Sequence, residues 1–511
     1  MIQERVVEGV SKLVFEGPSK SVQRAYHILA PIGAWVQYSV HDRSVVTALR
    51  GVLERVFFHK GEPPISPNVE IYRKRWGKYT RALAKYLPKA TPISTEEFVD
   101  MYQGRKREIY AKAREVYHTL GVWLKDSFVS TFVKADKLDL QAKPDPVPRV
   151  IQPRRPVYNL AVGIYLKPIE HGVYNAINRV WGGVTVAKGL NAVARGEALA
   201  KMWAEFEDPV AIGADANRFD QHVSVTALQG EHEVYNKIFK CPRLAELLSW
   251  QLQTVGFVRC PDGSFKYEVK GRRMSGDMNT AMGNVLIMCG LMWIYCQELE
   301  VKARLLNDGD DCVTIIERAD LARFTVGFEA WFAEMGFKMT VEEPVDVFER
   351  IVFCQSQPVF DGKRWLMVRD PRKTLAKDLI TFQGVGNLKQ WNRVRAAISE
   401  CGLALAGGIP VLDSFYRCLG RGAGADMNHE AVSYGFRQLS KGMRRHSKPI
   451  TEEARYSFYR AFGWLPDAQR SLESSYDQTP LYWSPTNDEA SGFPPLYWYT
   501  TGATREDSFS G

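Results

Sequence analysis

The stretch ARLLNDGDDCVTIIE, residues 303–317, sets two apolar runs on either side of a tight acidic turn. That pattern predicts a β-hairpin, and Asp-Gly is favoured at such turns because glycine accepts the backbone angles they need. Consecutive acids at the tip are electrostatically unfavourable: two carboxylates about 4 Å apart repel by about 4 kcal/mol at an effective dielectric near 20. A solvated loop tip tolerates this, so turn chemistry alone accounts for an isolated match. The flanking runs are β-branched, however, and put the turn at the rim of a buried sheet. There Asp310 and Asp311 suit a metal site.

A second acid stands upstream. PVAIGAD (209–215) reads as a short apolar strand ending in Asp215, and NRFDQHVS opens a helix at or near Asp220. If the strand pairs beside the hairpin, Asp215 and Asp310 converge from adjacent strands. Two such carboxylates can hold two Mg²⁺ ions that keep several waters, with Mn²⁺ an acceptable substitute. Two metals about 3.5–4 Å apart would stabilise both an attacking 3′-hydroxyl and a leaving pyrophosphate, the requirement of nucleotidyl transfer. Asp220 can accept from a sugar hydroxyl; alternatively it is a helix N-terminal acid facing the dipole.

Between these acids lies MSGDMNTAMGNVLIMCGLMWIYCQ (274–297), a loop followed by a strongly apolar helix. Thr280 and Asn284 are four apart and share a face, so with Ser275 they can present donors and acceptors to a ribose. Gly283 would keep backbone approach open. The alternative is a capped buried helix with Ser275 or Asp277 as N-cap.

The rest of the chain frames these segments. Residues 240–273 form a polar and basic excursion. After the hairpin come a helical stretch (319–337), KMTVEEPV, and two strands, ERIVFCQSQPVF and KRWLMVR. Strand–helix–helix–hairpin–helix–strand describes an antiparallel sheet backed by helices, an α+β fold. Upstream, residues 1–60 show no regular spacing, whereas 71–87 and 102–121 are basic, aromatic and helical, with Gly121 as a stop. Basic clusters interleaved with Tyr and Trp can hold phosphates and stack on bases. Five prolines between 144 and 156 exclude a continuous helix and favour extended backbone carrying Lys143, Arg149, Arg154 and Arg155. Segment 171–204 reads as loops and helix, and the chain from 371 is mainly helical, ending in a tail that repeats PLYW at 480–483 and 495–498.

Composition narrows the function classes. The chain has 511 residues, 45% hydrophobic and 24% charged, an ordinary globular balance. Eight scattered cysteines without a C-x-x-C pair argue against a disulfide scaffold or zinc finger. The motifs G-x-x-x-x-G-K-S/T, H-E-x-x-H and G-x-S-x-G are all absent. No run approaches about 18 uninterrupted apolar residues, and MIQERVVEGVSK has no apolar core, so neither a transmembrane span nor a secretory signal is expected. The net charge of +9 divides into +2 over residues 1–50, +11 over 51–200, −8 over 201–350, +9 over 351–450 and −5 over 451–511. An acidic middle between basic flanks suits a polyanion gripped on both sides of a cation site.

D-x-x-x-x-D (215–220), S-G-x-x-x-T-x-x-x-N (275–284) and G-D-D (309–311), in this order, resemble motifs A, B and C of viral RNA-dependent RNA polymerases. KPDPVPRVIQPR (143–154) resembles motif F, the basic element over the incoming triphosphate. GRKREIY (104–110), SGDMNTAMGN (275–284) and FCQ (353–355) are similar to the plant tombusvirus-like (Tombusviridae) group in particular. The resemblance implies a right-hand fingers–palm–thumb fold with a ferredoxin-like palm. Its parts would be an N-terminal region and fingers (1–204), palm (205–239), a fingers insertion (240–273), palm (274–370), and thumb with C-terminal tail (371–511). It implies Asp215, Asp310 and Asp311 as metal ligands and catalytic residues, and Lys338 as general acid for pyrophosphate. Asp220, Ser275, Thr280 and Asn284 would read the ribose, and Lys143, Arg149 and Arg154 the triphosphate. The expected partners are RNA template and product, NTPs and a membrane-anchoring viral auxiliary replication protein. The expected place is the host cytoplasm at membrane-associated replication complexes. Two other readings stand beside this one: a non-catalytic RNA-binding scaffold with the same fold, and a reverse transcriptase.

Overall fold

The computed structural model describes residues 2–7, 9–17, 21–33, 38–432, 434–483 and 497–499. The second PLYW therefore begins outside the described residues. The hairpin forms as the sequence predicts: Ala303–Asp308 pairs antiparallel with Asp311–Glu317, which pairs antiparallel with Pro209–Ala216. Met339–Val341 closes the other edge against Pro209–Ala216, giving a four-stranded antiparallel sheet. Its strands follow a β-α-β-β-α-β order along the chain.

Both faces of this sheet are covered, which explains why its strands are apolar runs and not alternating patterns. Val210, Ile212, Ala214, Leu305 and Ile316 pack on one side into a core with the helices Val225–Phe239 and Thr280–Leu299. Ala211, Leu306, Val313 and Ile315 pack on the other side with the C-terminal helical region. Thr280–Leu299 is long and apolar enough to cross a membrane, but 78% of its apolar window is buried inside the protein. Burying a large apolar side chain contributes about 1.5–3 kcal/mol, so its eleven buried apolar side chains make it a central support.

Elsewhere the structure departs from the sequence reading in instructive ways. The excursion at 240–273 is a helix, Pro242–Ser249, and a regular hairpin, Gln253–Cys260 with Gly263–Lys270. That hairpin joins Ile2–Val7, Val10–Phe15, Val129–Val133 and Val150–Ile151 in a six-stranded sheet. The unassigned first sixty residues thus supply two of its strands, and a helix, Val45–Val52, that packs on it. Segment 171–204 holds loops and the helix Ala192–Trp203 as expected, but a long helix not foreseen there begins at Pro156 and runs to Trp181 through Pro168. Proline there removes an N–H from the Ile164 carbonyl, and the Ile93 N–H donates to that carbonyl instead, at 3.0 Å. The helical stretch 319–337 is broken at Val326 and Gly327 into Leu321–Thr325 and Phe328–Glu334. The strand expected from 349 starts only at Ser356, because Cys354 and Gln355 form a turn with φ of 50° and 60°.

A short N-terminal stretch links distant parts of the molecule. Ala25–Ile28 pairs with Ile380–Thr381, and Tyr38–Ser39 pairs with Leu138–Asp139. Lys137 Nζ adds a direct bond to the Lys377 carbonyl at 2.9 Å.

Candidate active site

Strand register brings the acids together. Ala214 pairs with Cys312, so Asp215 and Asp311 each follow or precede that pair at one rim of the sheet. Asp308 and Asp311 close the hairpin, leaving Gly309 and Asp310 as its two-residue loop. Gly309 has φ of 91°, a conformation a side chain would strain. Asn307, wholly buried, clamps the loop: its Oδ1 accepts from the Gly309 N–H at 3.0 Å, and its Nδ2 donates to the carbonyls of Gly309 (2.7 Å) and Asp311 (3.2 Å).

The four acids of the turn region differ in their partners. Asp308 is neutralised by Lys188 at 2.5 Å and Arg195 at 2.7 Å. Asp215, Asp310 and Asp311 are exposed, and among the described residues none has an ion-pair partner. The Asp311 carboxyl, partly desolvated and facing Asp310 and Asp308, is pushed up to about 6. Glu342, whose carboxylate lies over Gly213, is also raised, by burial and by Asp215. Among the described residues no three His, Cys, Asp or Glu side chains form a ready-made metal cage. Unpaired, mutually repelling carboxylates at an open rim fit Mg²⁺ all the same, since that ion uses one or two protein carboxylates and fills its shell with water and phosphate.

Asp220 sits within reach of this rim. Asn284 Nδ2 donates to Asp220 Oδ1 at 2.9 Å, and burial, with repulsion from Asp310, pushes the Asp220 carboxyl up to about 6 against that bond. The structure therefore joins two of the four expected ribose readers. The other two are engaged elsewhere: Ser275 Oγ donates to the Val150 carbonyl (3.2 Å) and accepts from the Gln152 N–H (3.1 Å), while Thr280 Oγ1 donates to the Met274 carbonyl (2.8 Å). Here their hydroxyls fasten the loop ahead of the helix. Gly283 also serves a different end, for the buried Arg273–Glu231 pair lies against it where a Cβ would stand.

The basic strap divides in the same manner. Lys143 and Arg149 are exposed, Arg149 making, among the described residues, only a long ion-pair contact (3.7 Å) with Asp136. Arg154 is not available to a triphosphate. Its side chain is fully enclosed, paired with Asp277 and donating to the Ser127 carbonyl (2.5 Å) and Thr254 Oγ1 (3.1 Å). It pins the strap to the loop at 275–277. Sequence reasoning missed two other arginines. Arg55, from the N-terminal helical segment, and Arg218, between Asp215 and Asp220, stand close enough to each other and to Arg149 for mutual repulsion. Burial, then Arg218 and Arg149, push Arg55 down to about 9. The Nε atoms of Arg55 and Arg218 are buried without a hydrogen-bond partner among the described residues. Lys338 is exposed at the same end of the sheet, where its carbonyl accepts from the Asn217 N–H at 2.9 Å.

Residues 12–484 match the family described as viral RNA dependent RNA polymerase. The chain belongs to that family. It is 44% identical over 479 residues to the RNA-directed RNA polymerase of Turnip crinkle virus, covering 91% of this chain and 61% of that protein. With the RNA-directed RNA polymerase of Melon necrotic spot virus it shares 40% over 491 residues, 93% of this chain and 61% of that one. With that of Tobacco necrosis virus (strain A) it shares 40% over 453 residues, 87% of this chain and 63% of that one. The likeness to the tombusvirus-like group read from GRKREIY and FCQ is thereby borne out. The chain thus spans less than two thirds of these relatives' own length.

Proposed function

We propose that this chain carries out template-directed RNA synthesis from NTPs, replicating a positive-strand RNA virus genome by two-metal nucleotidyl transfer. The observation that carries the reading is the set of three exposed carboxylates, Asp215, Asp310 and Asp311, gathered at one sheet rim without a cation partner among the described residues. These would hold the divalent ions, Mg²⁺ or Mn²⁺, which when bound stabilise the attacking 3′-hydroxyl and the leaving pyrophosphate. A binding scaffold has no use for such a set. Asp220 with Asn284 would face the ribose, which favours ribonucleotides over the reverse-transcriptase reading.

The four-stranded sheet and its helices are read as a ferredoxin-like palm, the six-stranded sheet with residues up to 204 and 240–273 as fingers, and residues from 371 as thumb. Lys143 and Arg149 would meet the triphosphate, joined by Arg55 and Arg218, and Lys338 would hand a proton to pyrophosphate. Ser275 and Thr280 act by shaping the loop behind the sugar. Template and product RNA would lie between the basic flanks. A membrane-anchoring viral auxiliary protein would bring the chain to cytoplasmic replication complexes.

A purified-protein assay with a short RNA template, labelled NTPs and Mg²⁺ tests this. Asp310→Asn should lower incorporation by about a thousandfold or more, the scale of several kcal/mol of lost charge stabilisation. RNA binding and its salt dependence should stay largely unchanged, because phosphate contacts lie elsewhere. Retained synthesis would remove the metal assignment.

A further inference from the structure

Behind Asp220 runs a buried chain of polar groups in which chemistry leaves each hydrogen bond a single direction. Glu231 and Arg273 form a pair whose side chains are both fully enclosed. The Glu231 carboxylate accepts from Arg273 Nη2, from the Tyr235 hydroxyl at 2.8 Å and from Asn279 Nδ2 at 2.6 Å. Arg273 Nε donates to Asn284 Oδ1 at 2.8 Å. A guanidinium has donors only, so the amide oxygen of Asn284 must face Arg273 and its NH₂ must face Asp220. Asp220 Oδ1 accepts there, and the Asp220 carbonyl also accepts from the Arg273 backbone N–H at 2.8 Å. Arg273 is thus tied to Asp220 twice, once through Asn284 and once through the main chain.

We propose that Arg273, held by Glu231, is a positioning residue for sugar recognition: it locks the Asn284 amide and so sets the preference for ribo- over 2′-deoxyribonucleotides. The inference rests on the polymerase reading above and goes beyond its residue set. With the amide locked, Asp220 keeps one oxygen to accept from a ribose hydroxyl, and Asn284 keeps one N–H to donate to a hydroxyl oxygen. With the amide free to turn over, two oxygens would face each other and the pair would part. Neither Arg273 nor Glu231 touches the sugar; both act through Asn284. The arrangement is over-determined, as expected of a positioning device. Tyr235 holds Glu231 from its own helix, Val225–Phe239, and Asn279 holds it from the start of Thr280–Leu299. Gln251 Nε2 in turn donates to Asn279 Oδ1 at 2.9 Å.

The experiment measures kcat/KM for an NTP and for the matching 2′-dNTP opposite one template base, using the full chain with Mg²⁺. The variants are Arg273→Lys, Glu231→Gln and Tyr235→Phe. Lysine keeps the charge but reaches one acceptor where the planar fork reaches two. Arg273→Lys should cut the ribo/deoxyribo ratio about tenfold or more, with the loss falling on the ribonucleotide. Glu231→Gln and Tyr235→Phe should move the ratio the same way by smaller factors. They decide the matter if Arg273→Lys fails to fold. An unchanged ratio in the variants that still polymerise, even at a reduced overall rate, means a merely structural role and overturns the inference. A wild-type chain that incorporates neither sugar overturns the polymerase reading itself, which separates the two failures.

Discussion

Replacing Arg154 with methionine tests the buried ion pair that pins the basic strap to the loop at 275–277. The side chains of Arg154 and Asp277 are 0% and 1% exposed, and the remaining Arg154 donors serve Ser127 and Thr254. Removing one partner of such a pair strands the other charge in a dry interior, which destabilises by about 3–5 kcal/mol. Total stability is typically about 5–15 kcal/mol, so Arg154→Met should remove roughly a fifth of it or more. With a urea slope near 3 kcal/mol per molar, the unfolding midpoint falls by about 1–2 M. Replacing both partners, Arg154→Met with Asp277→Leu, should recover about half of the loss or more, since an apolar pair leaves no stranded charge. KM for NTP should stay within about twofold in the folded fraction of Arg154→Met. Arg149→Ala should do the opposite: an unchanged midpoint, and a KM raised about tenfold, equivalent to about 1.4 kcal/mol. An Arg154→Met protein as stable as wild type, with KM raised tenfold, would refute the pin and restore Arg154 to the triphosphate.

Three more outcomes can be checked. Because the Asp220 carboxyl is pushed up to about 6, it loses its negative charge as pH falls through that value; ribonucleotide kcat/KM should drop across that window, and Asp220→Asn should leave only the part of the limb that Asp311, raised to the same range, supplies. Arg218→Ala relieves repulsion with Arg55, so the thermal midpoint should hold or rise while KM for NTP increases about tenfold, measured by melting and by steady-state incorporation. Asn307→Ala removes three hydrogen bonds from a buried clamp and should cost about 2–3 kcal/mol in urea unfolding, with a fall in kcat as the acidic loop shifts.

How much of this could be read from the chain depends on how far apart the interacting residues lie. The hairpin at 303–317 carries its own instructions, two apolar runs and a turn, and its pairing with Pro209–Ala216 follows from burying both. Asp215, Asp310 and Asp311 were legible for that reason. Arg154 was not: an arginine in a proline-rich strap looks the same whether it faces solvent or an aspartate 123 positions away. Arg55 and Arg218 carry no motif, and only folding brings the two together. Residues 263–270 did hold a signal, since Phe265, Tyr267 and Val269 alternate with Lys266, Glu268 and Lys270, but the charged face made the segment look like a loop. Its partners in Val10–Phe15 lie some 250 positions upstream, beyond any local pattern.

The stretch from Ala25 to Ser39 fastens residues 380–381 at one end and 138–139 at the other, each by a ladder only two residues long. So brief a ladder opens at far lower free energy than a core strand. The two regions it joins can therefore part like the halves of a buckle only as the Lys137–Lys377 bond and the small buried cluster of Tyr26, Tyr38, Val40, Ala376 and Ile380 open too, while the larger hydrophobic interiors on either side stay intact. Hydrogen exchange at His27 and Leu29, the latter's N–H bonded to the Leu379 carbonyl, should accordingly report that unfastening long before any global melting.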